Sequence, residues 1–236
     1  VKGKLTPQGV EQVIAQHMDE HMVKPRLVYI SNSTELGTLY TRDELQALRT
    51  ACDRYGLYFY MDGARLASAL TSKENDLTME DLPRYLDAFY IGGTKCGALF
   101  GEALVICKPE LKPDFRYMIK QRGAMAAKGW LLGIQFEELF RDDLYFALGE
   151  HANDMAALIR SALSEAGIRF FSPTASTNQI FPILSNACIE QLRANYAFGI
   201  WEAYDQEHTI VRFVTSWATE EEAVHDLIRE ILKQEM

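Results

Sequence analysis

The sequence predicts an α/β fold in which a parallel-rich sheet forms a larger first domain and a small α+β domain completes the chain. Three observations predict it. Short apolar runs alternate with helix-spaced segments through the first half of the chain, the pattern of an α/β unit. Those runs, such as Leu57-Tyr58-Phe59-Tyr60-Met61, are nearly continuous in apolar residues, which suits parallel strands covered on both faces. After Leu111 the alternation gives way to a mostly helical stretch and then to closely spaced short strands. The division is expected near residue 150, giving domains of residues 1–150 and 151–236.

The elements follow in order. Thr6-Pro7 suits a cap with proline at the first helical position, and Val10, Val13, Ile14 and Met18 recur at helical spacing. After Pro25, the run Leu27-Val28-Tyr29-Ile30, closed by Ser31-Asn32-Ser33, reads as a buried strand. Thr41 to Glu44 has the spacing of a capping box; Leu45, Leu48 and Cys52 line one face, and Gly56 stops the helix. The strand at 57–61 ends on Asp62-Gly63. A helical stretch from Thr78 leads to the strand Ala88-Phe89-Tyr90-Ile91, which ends on Gly92-Gly93-Thr94-Lys95, and Glu102 to Cys107 forms another. Leu144, Leu148, Met155, Ile159 and Leu163 line a long amphipathic helix stopped by Gly167. Short strands are expected near 169–172, 179–184, 199–203 and 210–215, before a last helix with a second capping box from Thr219 to Glu222.

Composition narrows the function classes. Of 236 residues 48% are hydrophobic, enough for a sizeable core, and 24 Lys+Arg against 33 Asp+Glu give a net charge of −9. An acidic chain without a basic run argues against a nucleic-acid groove or an anionic membrane surface. Cys52, Cys96, Cys107 and Cys188 form no C-x-x-C pair and read as reduced thiols of a cytoplasmic protein. The longest aliphatic stretches, such as 103–107, are too short to cross a bilayer, and no signal peptide follows the opening Val1-Lys2-Gly3-Lys4. His17 and His21 stand at helical spacing around Glu20, but the glutamate is out of place for a zinc motif and no third ligand is evident, so no metal is expected. Trp130, Trp201 and Trp217 read as core or interface aromatics.

Two consecutive strand ends carry unusual chemistry: Asp62-Gly63-Ala64-Arg65 and Gly92-Gly93-Thr94-Lys95. Ligands of open α/β sheets sit beyond the carboxyl ends of strands. Alone, an Asp-Gly turn or a lysine after two glycines is an ordinary loop. Together they match the needs of a pyridoxal ring. Its nitrogen stays protonated only beside a held carboxylate, and its aldehyde takes an amine. The paired glycines would let the backbone approach a cofactor closely.

The segments Gly3-Lys4-Leu5-Thr6-Pro7, Met61-Asp62-Gly63-Ala64-Arg65-Leu66 and 94–101 (TKCGALFG) resemble the low-specificity threonine aldolase group. That group belongs to the β-eliminating-lyase family, within the aspartate-aminotransferase-like pyridoxal-phosphate fold. Val211-Arg212-Phe213-Val214-Thr215 is similar to its C-terminal arginine strand. The resemblance implies that the first domain is the pyridoxal-phosphate-binding large domain, incomplete at its N-terminus. It makes Lys95 the Schiff-base lysine and Asp62 the partner of the pyridine nitrogen. Arg65 would lie near the cofactor and the substrate carboxylate, and Arg212 would clamp that carboxylate. Arg122 is the candidate for a basic residue reaching a neighbouring phosphate.

The activity so implied is cleavage of threonine or allo-threonine to glycine and an aldehyde by a cytoplasmic homodimer or homotetramer. β-Elimination or transamination on the same scaffold, or a catalytically silent structural or regulatory subunit, are the alternatives. The family's phosphate cradle, stacking histidine and general base are not found here. They are expected in a segment before Val1, without which residues 1–236 should bind the cofactor poorly and lack turnover.

Overall fold

The first helix, α1 (Pro7–Gln16), begins where Thr6 accepts a hydrogen bond from the backbone N–H of Gly9 and proline fills the first turn. A computed structural model describes residues 3–235. The helix stops short of its apolar periodicity: Met18 lies beyond it and is 81% exposed. His17 and His21 therefore share no helical face. His17 Nδ1 lies 2.7 Å from the Val13 carbonyl oxygen, and His21 Nδ1 lies 2.7 Å from Asp19 Oδ1 in an exposed turn.

Four strands follow, interleaved with helices. They are β1 (Leu27–Ser31), α2 (Arg42–Tyr55), β2 (Tyr58–Asp62), α3 (Leu66–Leu70), α4 (Leu82–Tyr85), β3 (Ala88–Gly92) and β4 (Glu102–Ile106). The capping box of α2 is made in full: Thr41 Oγ1 accepts from Glu44 N and Glu44 Oε2 accepts from Thr41 N. Gly56 ends that helix at φ 62°. The sheet runs β1-β2-β3-β4, parallel except for the last pair, so two successive crossovers place the carboxyl ends of β1, β2 and β3 side by side.

The strands are not covered equally on both faces, as their apolar runs had implied. Val28, Ile30, Phe59, Met61 and Phe89 are buried against Leu45, Leu48, Cys52 and Leu66 of the helices. The opposite face carries Leu27, Tyr29, Tyr60 and Tyr90, with Leu27 and Tyr29 each 53% exposed. Strand side chains alternate between faces. Tyrosine fits the half-covered face because its ring buries while its hydroxyl finds a polar partner.

Beyond the sheet lie α5 (Phe115–Gln121), α6 (Trp130–Phe140) and the long α7 (Leu144–Glu165). Its buried face begins at Tyr145; Leu144, expected on that face, is 38% exposed. The first half of α7 joins the core of the parallel sheet through Tyr145. Its second half joins another core through Met155, Ile159 and Leu163.

That second core holds β5 (Gln179–Ile180), β6 (Ile183–Ser185), α8 (Asn186–Leu192), β7 (Gly199–Ala203), β8 (His208–Val214) and α9 (Glu221–Glu235). The strands pair antiparallel around β8. The expected run at 179–184 divides at Pro182, which has no N–H for the ladder. The strand expected near 169–172 is reduced to a single bridge between Phe170 and Pro182. Thr219 does not open α9 as a capping box. Its hydroxyl accepts from the N–H of Ser216 at 2.8 Å, and the helix starts at Glu221.

The three tryptophans stay out of the core, at 60% (Trp130), 36% (Trp201) and 44% (Trp217) exposure. All four cysteines are free thiols. Among the described residues, no helix is long and apolar enough to cross a membrane.

Gly149 of α7 is where that helix meets α3. A Cβ there would lie 2.5 Å from the backbone carbon of Ala67, so the two helices would have to separate. Gly149→Ala should cost about 1–3 kcal/mol by overpacking. It should lower the unfolding midpoint by about 2–4 °C for each kcal/mol lost, read by thermal denaturation of the full-length protein. An unchanged midpoint would show that the α3–α7 contact carries no such constraint.

Candidate active site

Asp62 ends β2, and its side chain shares the face of Tyr60 because the two stand two residues apart on one strand. Tyr29 on β1 and Tyr90 on β3 reach it from either side. The Tyr29 hydroxyl donates to Asp62 Oδ2 at 2.5 Å, and the Tyr90 hydroxyl donates to Oδ1 at 2.5 Å. The backbone N–H of Ala64 adds a third donor to Oδ1 at 2.9 Å. Burial alone would push this carboxyl up. The hydrogen bonds from Tyr29, Tyr90 and Ala64, with the charge of Lys95, outweigh that and hold it below the usual range. The group is thus kept ionised at neutral pH.

Lys95 lies in the tight turn that follows β3. The turn is closed by the N–H groups of Cys96 and Ala98, both donating to the Gly93 carbonyl. Glu102 Oε2 accepts from Gly93 N at 2.5 Å and ties the turn to β4. The glycines here answer to the protein's own backbone. A Cβ on Gly92 would lie 2.5 Å from the Ala64 carbonyl oxygen, so bare backbone is what lets the two strand-end loops touch. Lys95 itself is exposed. The neighbouring Cys96 is buried, and burial pushes its thiol up to about 12, which leaves it unreactive.

Arg65 opens α3 three residues after Asp62 and shares a small cavity with Lys95, Ser68 and Asn178. Burial lowers its guanidinium affinity for the proton. The charge of Glu35 acts in the opposite sense, and that of Arg212 adds to the burial. Its buried Nε has no hydrogen-bond partner among the described residues. Arg212 on β8 is half-buried, with its guanidinium 5.9 Å from the Trp201 ring centre and 3.8 Å from a carboxylate oxygen of Glu35. The four residues singled out from sequence are therefore electrostatic neighbours at one place, although Arg212 comes from the second core. Arg122 is exposed just after α5 and makes no side-chain hydrogen bond or ion pair within the described residues.

Sequence reasoning missed Tyr29, Tyr90 and Glu35. One signal was available for the tyrosines: each of β1, β2 and β3 carries a tyrosine two residues before its end. Glu35 sits in the loop after β1 and has no such pattern. A larger cavity, about 420 Å³ and lined by Lys73, Asn153 and Arg160 among others, contains none of these groups. The chemistry named here belongs to the strand ends instead.

Known proteins resemble this chain over nearly its whole length. The chain is 34% identical over 235 residues to a low-specificity L-threonine aldolase of Pseudomonas aeruginosa, covering 97% of this chain and 65% of that protein. It thus spans about 65% of the length of the curated relatives it matches. A threonine aldolase structure from Leishmania major superposes with a TM-score of 0.94 at 51% identity, covering 98% of this chain and 67% of that one. An aspartate aminotransferase variant from Thermus thermophilus superposes at 0.68 with 13% identity, over 97% of this chain and 63% of the other. That likeness shows the shared fold alone. The family model for beta-eliminating lyases matches residues 1–187, and the chain belongs to that family.

Proposed function

We propose that the protein is a pyridoxal-phosphate-dependent aldolase that cleaves threonine or allo-threonine to glycine and acetaldehyde. The observation that carries this reading is the meeting of an ionised, three-donor carboxylate with a lysine at neighbouring strand ends. The 51% identity to a Leishmania threonine aldolase supports it. The donor set also fits the cofactor: an anionic Asp62, the exposed Lys95 amine and a buried guanidinium nitrogen without a partner among the described residues. When bound, pyridoxal phosphate supplies an aldehyde for an amine and a protonated ring that accepts the electrons of a breaking bond.

In this reading Lys95 would hold the cofactor through Nζ, and Asp62 would keep the ring-nitrogen proton in place. Arg65 and Arg212 take the substrate carboxylate, because a guanidinium fixes the direction of a carboxylate as well as its charge. Fixing it decides which α-carbon bond is presented for cleavage, and hence selects aldol cleavage over elimination or transamination. Glu35 balances the two arginines and must yield Arg212 when the substrate carboxylate arrives.

The protein would be a cytoplasmic homodimer or homotetramer acting on a small amino acid, with neither nucleic acid nor membrane as partner. The acidic balance supports the latter. Exposed Leu99, Phe100, Trp130 and Ile134 support a protein partner. We place the domain division within α7, near residue 150, between its two cores.

The test is acetaldehyde release from threonine, followed with a coupled alcohol dehydrogenase. Arg212→Ala should raise KM for threonine by roughly ten- to a hundredfold, the weight of hydrogen bonds to a charged group. Arg212→Lys should raise it less. Consumption of an amino acid lacking a β-hydroxyl while threonine is inert would overturn the aldolase reading.

A further inference from the structure

The geometry points to Tyr29 and Tyr90 as positioning residues that fix the aim and the charge of Asp62 and leave one acceptor direction of its Oδ2 for a further donor. This deepens the reading above, on which it rests for the identity of that donor, the cofactor's ring nitrogen.

Sheet register brings these groups together. β1, β2 and β3 are adjacent and parallel, with Tyr29 opposite Tyr60 and Ser31 opposite Asp62. Side chains on one face of neighbouring strands stand close, so aromatics on β1 and β3 flank whatever β2 presents there. The rings form a row: Tyr29 and Tyr60 stack at 5.6 Å between centres, and Tyr60 and Tyr90 lie 6.5 Å apart. The row holds both outer hydroxyls against the carboxylate at 2.5 Å.

An ionised carboxylate has about four acceptor directions, two on each oxygen. Oδ1 is filled by Tyr90 Oη and Ala64 N, whereas among the described residues Oδ2 takes Tyr29 Oη alone. The remaining direction on Oδ2 is the one a cofactor N–H can use. Hydrogen bonds to the charged form favour it. The bond to Asp62, after burial, raises Tyr29 to about 12, and Tyr90 is raised for the same reasons, so both stay protonated donors.

The experiment has two arms on the full-length protein. In the cofactor-free protein, the Asp62 carboxyl is titrated by ¹³C NMR. Tyr29→Phe and Tyr90→Phe keep the aromatic row and remove only the hydroxyls. Each should raise the Asp62 pKa by about one unit, and the double variant by about two. Tyr60→Phe, whose hydroxyl does not bond Asp62, should leave it unchanged. An unmoved Asp62 in the double variant would overturn the positioning role.

The second arm loads the protein with ¹⁵N-labelled pyridoxal phosphate. The ring-nitrogen shift should move toward that of neutral pyridine in the double variant. If Asp62 titrates higher while the nitrogen signal stays put, the positioning role stands and the pairing of Asp62 with the ring falls. The two failures are thus separable.

Discussion

Lys95→Ala should abolish both the near-visible absorbance of bound pyridoxal phosphate and threonine cleavage, with turnover falling by at least about 10⁴-fold, the scale of removing the nucleophile of a covalent mechanism. The reason is local. Lys4 and Lys108 are committed to carboxylates, at 2.7 Å from Glu44 and 3.3 Å from Glu110. For Lys108 the hydrogen bond to Glu110 raises the amine's affinity for its proton. Lys95 is exposed, makes no such pair among the described residues, and is fixed at its backbone by the turn closed on Gly93. Borohydride reduction of the loaded protein followed by peptide mapping should tag Lys95. A tag on another lysine, or turnover surviving in Lys95→Ala, would remove the assignment.

Asp62→Asn should leave cofactor binding measurable while cutting turnover by about 10³-fold. Asparagine preserves the shape and can still accept through its carbonyl oxygen. It carries no charge with which to hold a proton on a ring nitrogen. Three units of lost proton affinity at that nitrogen correspond to about 4 kcal/mol, which is the size of the expected loss. The amide would also present a donor to one of the two tyrosine hydroxyls, so one of the 2.5 Å contacts must turn over or break. Measured side by side, the cofactor dissociation constant should change far less than kcat. Near-normal kcat would count against the pairing.

Much of this was legible in the sequence because it is encoded locally. The capping box of α2, its glycine stop and the chemistry at the ends of β2 and β3 each lie within a few consecutive residues. What escaped was set by neighbours distant in the chain. Tyr29 and Tyr90 read as apolar members of their strands, and only the register across β1, β2 and β3 turns them toward Asp62. Glu35 matters because β8 of the second core brings Arg212 to it. The close approach of the Ala64 carbonyl to Gly92, from the adjacent loop, has no local signal either. Periodicity overran α1 as far as Met18 because spacing alone cannot show that no core lies opposite. A hydroxyl at capping distance, as at Thr219, can be claimed by an earlier N–H.

The helix that runs through both cores has a bearing on how the protein can change. At 22 residues α7 is a rod about 33 Å long, anchored at Tyr145 beside the sheet that carries Asp62 and Lys95. It is anchored again at Met155, Ile159 and Leu163 beside the strand that carries Arg212. The strand ends that carry Asp62 and Lys95, with Arg65 beside them, and the strand that carries Arg212 are therefore backed by separate sets of packing contacts. If Arg212 takes the substrate carboxylate as proposed, substitutions in the second core would alter how that group is held while leaving the packing behind the lysine turn in place. The continuous spine transmits any tilt of one half to the other, so the freedom to diversify is greatest in side chains and least in the axis itself.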